Sequence, residues 1–149
     1  MYELVRSQRV AAPRPEVFAF FADAANLSEM TPPALGFEIL TPQPIEMHPG
    51  TRIDYRITLH HVPMTWHTLI EDFVPSERFV DVQVKGPYKL WHHTHTFRDA
   101  AGGGTELGDH VRYELPLGPL GALAHAIAVK RQLRQIFDYR ARVMRERFG

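Results

Sequence analysis

Residues 91–113 constrain the fold of this chain more than any other stretch. They read Trp91-His92-His93-Thr94-His95-Thr96-Phe97, then a Gly102-Gly103-Gly104 turn, then Thr105-Glu106-Leu107-Gly108-Asp109-His110-Val111-Arg112-Tyr113. Both arms alternate with period two, so the segment is a β-hairpin with one face turned inward. On the second arm that face carries Thr105, Leu107, Asp109, Val111 and Tyr113. The opposite face carries Glu106, Gly108, His110, Arg112 and Glu114 and belongs in water. The inward face therefore holds a carboxylate, with His93 and His95 beside it on the other arm. Polar groups facing a core are costly unless they are paired or used. That conflict is the main clue to function.

The rest of the chain supplies the frame for this hairpin. Residues 3–11 read as a rather polar strand at a sheet edge. Pro15 suits the first turn of a short helix, and residues 23–30 read as a second, stopped by Thr31-Pro32-Pro33. Strands are expected at 37–41, at 51–61 with Ile53, Tyr55, Ile57 and Leu59 on one face, at 65–74 after a turn at Pro63, and at 79–85. On the strand at 79–85 the spacing leaves two faces open: Val80, Val82 and Val84, or Phe79, Asp81 and Gln83. Covering both would take a partner subunit on the convex side, as in a homodimer. Short connections imply an antiparallel meander. After Pro116, Gly118, Pro119 and Gly121, apolar residues from Leu120 to Met144 recur at three- and four-residue spacing. They predict one amphipathic helix of about 28 residues, roughly 42 Å at ~1.5 Å per residue.

This order predicts an α+β, helix-grip fold over 1–149 as a single domain. A curved seven-stranded antiparallel sheet wraps around a long C-terminal helix, with two short helices between strands 1 and 2. A cavity is left between sheet and helix.

At this point the chain resembles the START-like superfamily, the group that includes Bet v 1, polyketide cyclases and SRPBCC proteins. Pro15-Glu16-Val17-Phe18-Ala19-Phe20-Phe21-Ala22-Asp23 with Asn26-Leu27 is similar to its first-helix signature. The run from Phe79 to Tyr88, Trp91-x-His93-x-His95-x-Phe97 and Asp109-x-Val111-x-Tyr113 resemble a bacterial ligand-binding subgroup. The resemblance implies a pocket for a hydrophobic or amphipathic small molecule. Its members include carriers, aromatase/cyclases and chaperone activators, and a shared fold does not choose among them.

Composition excludes several chemistries. There is no cysteine, so disulfides, thiolate catalysis and Cys-based metal sites are out. Formal net charge is zero, which gives no reason to expect nucleic-acid binding. The first residues lack a secretory-signal pattern, no apolar run approaches the ~18 residues of a membrane span, and a cytoplasmic location is expected. Ser7, Ser28 and Ser76 lie outside any Gly-x-Ser-x-Gly elbow.

If Phe97 faces Thr105 across the turn, His95 faces Leu107 and His93 faces Asp109, close enough to bond. His93 and Asp109 are then a candidate acid/base pair, or a structural pair that satisfies two buried polar groups. His93, His95 and Asp109 could also form a two-His, one-carboxylate site, but His61 would lie roughly 14 Å away at ~4.8 Å per strand. No metal and no cofactor are expected. The candidate ligand-binding set is Tyr55, Trp66, Phe79, Gln83, Trp91, His93, His95, Phe97, Asp109 and Tyr113. The basic residues of the last helix, from Lys130 to Arg147, read as a solvated face, with contact to an anionic membrane as the alternative. The expected function is binding of a small, largely apolar molecule. A cofactor-independent cyclase or dehydratase using His93 and Asp109 is the alternative, and a chaperone-activator-like interaction module the third.

Overall fold

A computed structural model describes residues 1–149. Its strands are β1 (Tyr2–Val10), β2 (Glu38–Ile39), β3 (Arg52–Leu59), β4 (Val62–Val74), β5 (Arg78–Lys85), β6 (Leu90–Asp99) and β7 (Thr105–Glu114). They form one antiparallel sheet in the order β1-β7-β6-β5-β4-β3-β2. Between β1 and β2 lie the helix α1 (Arg14–Ala22) and two short 3-10 turns, Ala24–Ser28 and Pro33–Leu35. After β7 come α2 (Gly118–Ala124), a π-helical turn (His125–Val129) and α3 (Lys130–Phe148), which follow one another without a break. This is the helix-grip fold. No helix is long and apolar enough to cross a membrane.

The alternation seen in the sequence sets which way each strand faces. On β6, Trp91, His93, His95 and Phe97 are buried; on β7, Thr105, Leu107, Val111 and Tyr113 are. The hairpin register differs from the sequence expectation by two residues. Phe97 pairs with Leu107, His95 with Asp109 and His93 with Val111, because the ladder extends to Asp99–Thr105 before the chain turns. A two-residue shift keeps every side chain on its face, whereas one residue would have inverted them all.

Other boundaries move for local reasons. Pro63 is not at a turn but in β4, paired with Thr58. The turn is made by His60 and His61, whose φ of 48° and 67° match a two-residue hairpin connection. The strand expected at 37–41 is cut to Glu38–Ile39, since the amides of Leu40 and Thr41 both converge on the Asp54 carbonyl. β4 carries two register shifts against β5, at His67/Thr68 and Ile70/Asp72. Bulges of this kind bend a strand and help curve the sheet. On β5, Phe79 and Asp81 face the concave side, while Val84 is exposed on the other.

α1 plugs one end of the sheet. Phe18 packs edge-on against Phe97 and Phe73, with centroids 5.0 and 5.4 Å apart, contacts worth about 0.5–1.5 kcal/mol each beyond burial. Met144 and Phe148 of α3 join this cluster. The Phe148 carbonyl accepts from the amides of Ala11 and Ala12, which ties the end of α3 to the end of β1.

Met144 is 1% exposed, so Met144→Ala should cost about 2–5 kcal/mol in urea denaturation, the range for emptied core sites. Gly104→Ala should also destabilise, since its φ of 81° disfavours a side chain and a Cβ there would collide with the Val10 carbonyl. An exposed-site effect of under ~0.5 kcal/mol at either position would contradict this packing.

Candidate functional site

Between the concave face of the sheet and α3 lies an open-mouthed cavity of about 170 Å³. Nineteen of its 26 lining residues are hydrophobic, so an occupant meets mainly apolar wall. Ile53, Tyr55 and Ile57 of β3 and Trp66 and Ile70 of β4 form one side. Leu133, Ile136 and Phe137 of α3 form the roof. Burial holds the phenols of Tyr55 and Tyr88 protonated, well above their ordinary range.

Polar groups converge at one end of this apolar space. His93 Nε2–H donates to Asp109 Oδ1 at 2.7 Å. His95 Nε2–H donates to Asp81 Oδ2, and Arg140 of α3 donates to His95 Nδ1 at 3.0 Å. Trp91 Nε1–H reaches the other Asp81 oxygen at 3.3 Å. The Arg140 guanidinium is 3.7 Å from Asp109 and stands over the rings of Phe21 and Phe137, 4.8 and 5.6 Å away. The two imidazoles stack at 3.6 Å, and Phe79 stacks on the outer face of His95 at 4.0 Å.

The network fixes proton positions. An arginine always donates, so His95 Nδ1 is the accepting nitrogen and Nε2 carries the proton toward Asp81. His95 is thereby held neutral. Burial, then the adjacent His93 and also Arg140, depress its pKa to about 4 against the pull of Asp81. For Asp109, burial raises the pKa, but Arg140 and the bond from His93 outweigh it and hold the carboxyl far below its usual range. Asp81 shows the same balance: burial raises, while His93, His95 and Arg140 together lower. Two carboxylates and one guanidinium leave the cluster with one net negative charge from these three groups.

The sequence-expected set divides in two. Tyr55, Trp66, Phe79, Trp91, His93 and His95 line the cavity. Gln83, Phe97, Asp109 and Tyr113 do not. The Gln83 amide is spent on the backbone of Tyr88, bonding its carbonyl and its N–H. Phe97 belongs to the α1 cluster, and the Tyr113 hydroxyl pairs with His125 Nε2 at 2.8 Å. Asp109 sits behind His93 and lines a separate polar crevice between β1 and α3. The His93–Asp109 bond forms diagonally, one pair along from the directly opposed His95.

Two members escaped the sequence-based set. Asp81 shares the phase of Phe79, which was the available signal. Arg140 lies three residues after Phe137 and seven after Leu133, on the buried stripe of α3, where a charged residue is unexpected. Asp81, His93 and His95 are the residues that could hold a metal ion, with one ligand atom each within 4.8 Å. Binding one would break the His95–Asp81 bond and set the ion against Arg140, which already supplies the positive charge. Trp66 Nε1 and Thr68 Oγ1, in the cavity wall, are buried without a partner.

Comparison with known proteins places the chain in context. Residues 10–138 match the family described as polyketide cyclase/dehydrase and lipid transport. A search of curated proteins finds no match. Among solved structures, a protein from Thermus thermophilus superposes with a TM-score of 0.71 at 18% identity, covering 98% of this chain and 96% of that one. A START superfamily protein from Mycobacterium smegmatis gives 0.71 at 12% identity, with 98% and 96% covered. A nucleoside-diphosphate sugar epimerase from Corynebacterium glutamicum gives 0.70 at 24% identity, with 96% of this chain but 28% of the longer one. These likenesses establish the shared fold.

The protonation pattern has a measurable consequence. His95 binds a proton near pH 6.5 when unfolded but near pH 4 when folded. Between those values the unfolded state holds more protons, so stability should fall as pH drops from about 6.5 to 4. The lowered carboxyls of Asp81 and Asp109 act separately, their contribution being lost as pH falls further through their folded pKa values. His95→Gln should flatten the limb between about pH 6.5 and 4 in chemical denaturation; an unchanged slope would reject the assignment.

Proposed function

The chain belongs to the polyketide cyclase/dehydrase and lipid transport family of the START-like (SRPBCC) superfamily, and on that premise we propose that it binds a small, largely apolar molecule between sheet and α3. The observation that carries this reading is the cavity itself, an apolar enclosure with charged and hydrogen-bonding groups gathered at one end. Small-molecule sites have this composition, in which apolar wall supplies affinity and a few polar groups fix orientation. The occupant would be amphipathic: an aromatic or polycyclic body against Tyr55, Trp66 and Trp91, with a hydroxyl toward His93 or a carbonyl toward Arg140. An apolar cavity with polar groups at one end, rather than a filled interior, favours ligand binding over an interaction module.

One observation keeps an enzymatic reading alive. His93 lines the cavity and is oriented by Asp109, the arrangement a general acid/base needs. A cyclisation or dehydration requires only proton transfer to and from substrate carbon and oxygen, with no redox step and no cofactor. His93 would move the proton, and Asp109 would act as its positioning residue.

Filling the cavity should abolish binding without loss of fold. Ile57→Trp is expected to weaken binding of the fluorescent probe anilinonaphthalene sulfonate at least about tenfold, a loss of ~1.4 kcal/mol. Unchanged probe affinity would place the site elsewhere. Native mass spectrometry of the protein from its own cells should show a co-purifying apolar molecule. For candidate substrates, His93→Ala separates the two readings: turnover lost with affinity kept indicates an enzyme, and affinity lost with no turnover in either protein indicates a carrier.

A further inference from the structure

The first part of the long helix exposes only apolar side chains. From Pro116 to Val129 every exposed residue is apolar or glycine, since His125 and Gly121 are turned inward. Leu117, Leu120, Leu123 and Ile127 are 57 to 75% exposed. Met1, itself exposed, adjoins Gly118 and Ala122 and extends the patch. A helix that is apolar on all sides belongs in a core or a lipid environment, and a contiguous surface patch of this kind marks an interaction site.

What covers it is indicated by charge. Lys130, Arg131 and Arg134 follow in the next turns, all exposed and none in an ion pair. No acidic residue occurs between Glu114 and Asp138. The covering surface must therefore be apolar beside α2 and negatively charged beside the start of α3. We propose that this segment docks the protein on an anionic lipid bilayer. α2 lies in the interface with Leu120, Leu123 and Ile127 among the acyl chains, and Lys130, Arg131 and Arg134 meet the lipid phosphates. Pairing this segment with the same segment of a second copy would bury the leucines but bring no countercharge to the three cations, since residues 115–137 hold no acid; phospholipid supplies both.

The segment lies on the membrane rather than through it, because fewer than 18 residues of it are apolar. Leu133 and Ile136, one and two turns further on, roof the cavity. Docking thus sets the roof against the membrane, where an apolar ligand would reside. That consequence rests on the cavity reading; the docking does not.

Flotation of the full chain with lipid vesicles tests the proposal. Binding is expected to vesicles of phosphatidylcholine with phosphatidylglycerol, and to be at least about tenfold weaker to pure phosphatidylcholine or in high salt. Leu120→Ser with Leu123→Ser should cost at least about tenfold, and each of Lys130→Gln, Arg131→Gln and Arg134→Gln about fivefold. These positions are exposed, and unaltered melting of the variants verifies that the fold is intact. Absence of binding to anionic vesicles overturns the proposal. So does binding that the substitutions leave unchanged, or a dimer in sedimentation velocity that the leucine substitutions dissociate. Vesicle binding without probe binding in the cavity would sink the ligand reading and leave docking standing.

Discussion

One guanidinium stands against the two buried carboxylates of the sheet's inner face. Two carboxylates buried in the wall of an apolar cavity, Asp81 facing it and Asp109 behind His93, would ordinarily take up protons or be excluded from such a site. Arg140 reaches them from α3 and is bonded to His95 and set beside Asp109, so the placement of the long helix across β5, β6 and β7 is tied to that contact. Removing one partner from a buried ionic network costs about 3–5 kcal/mol, yet replacing the whole by apolar residues is often neutral or stabilising. Packing alone could hold α3, as Leu133, Phe137 and Met144 do on either side. An expensive polar cluster at the edge of an open cavity is thus not required by the stability of the fold, and it is what the proposed ligand-binding reading would call for.

The fold was readable because its signals are local and periodic. Alternation along β3, β6 and β7 fixed which residues face inward, and the leucine spacing fixed the helix. Register was not readable to better than two residues, because alternation is blind to even shifts; the Gly102–Gly104 turn could close one pair earlier or later. The His93–Asp109 contact survived that error only because diagonal neighbours remain within side-chain reach. Asp81 and Arg140 were harder. Each sits where an apolar residue is expected, and their meaning appears only when β5, β6 and α3 are brought together. The turn at His60–His61 hid for another reason: histidine is a poor signal for positive φ, so Pro63 drew the prediction two residues too far.

The long helix is three devices in sequence. α2 presents its apolar surface outward, the start of α3 roofs the cavity, and the remainder is anchored through Arg140, Met144 and Phe148. The π turn falls at the first junction. There His125 is turned inward to accept from or donate to the Tyr113 hydroxyl, and it stacks on Tyr2 at 3.5 Å. An extra residue per turn rotates everything before it relative to α3. The roof is thus suspended between two polar fixings, Tyr113–His125 and the Arg140 network, with apolar contacts between them. Those are the contacts that an apolar ligand can replace without leaving a buried polar group unpaired.

The hydrogen-bond inventory also says where such a ligand would meet polarity. Both nitrogens of His95 are engaged, both oxygens of Asp81 accept, and Asp109 Oδ1 is shared between His93 and the nearby Arg140. His93 Nδ1 makes no hydrogen bond: its nearest charged neighbour is Asp81, 3.7 Å away and beyond hydrogen-bond range. It is an uncommitted acceptor on a side chain that lines the cavity, as the remaining N–H groups of Arg140 are uncommitted donors. A ligand hydroxyl reaching this end can donate to that nitrogen, and a ligand carbonyl can accept from Arg140. The carrier and the cyclase readings therefore share one contact. They part only at the next step, in whether the ligand's proton stays in a hydrogen bond to His93 Nδ1 or passes to it.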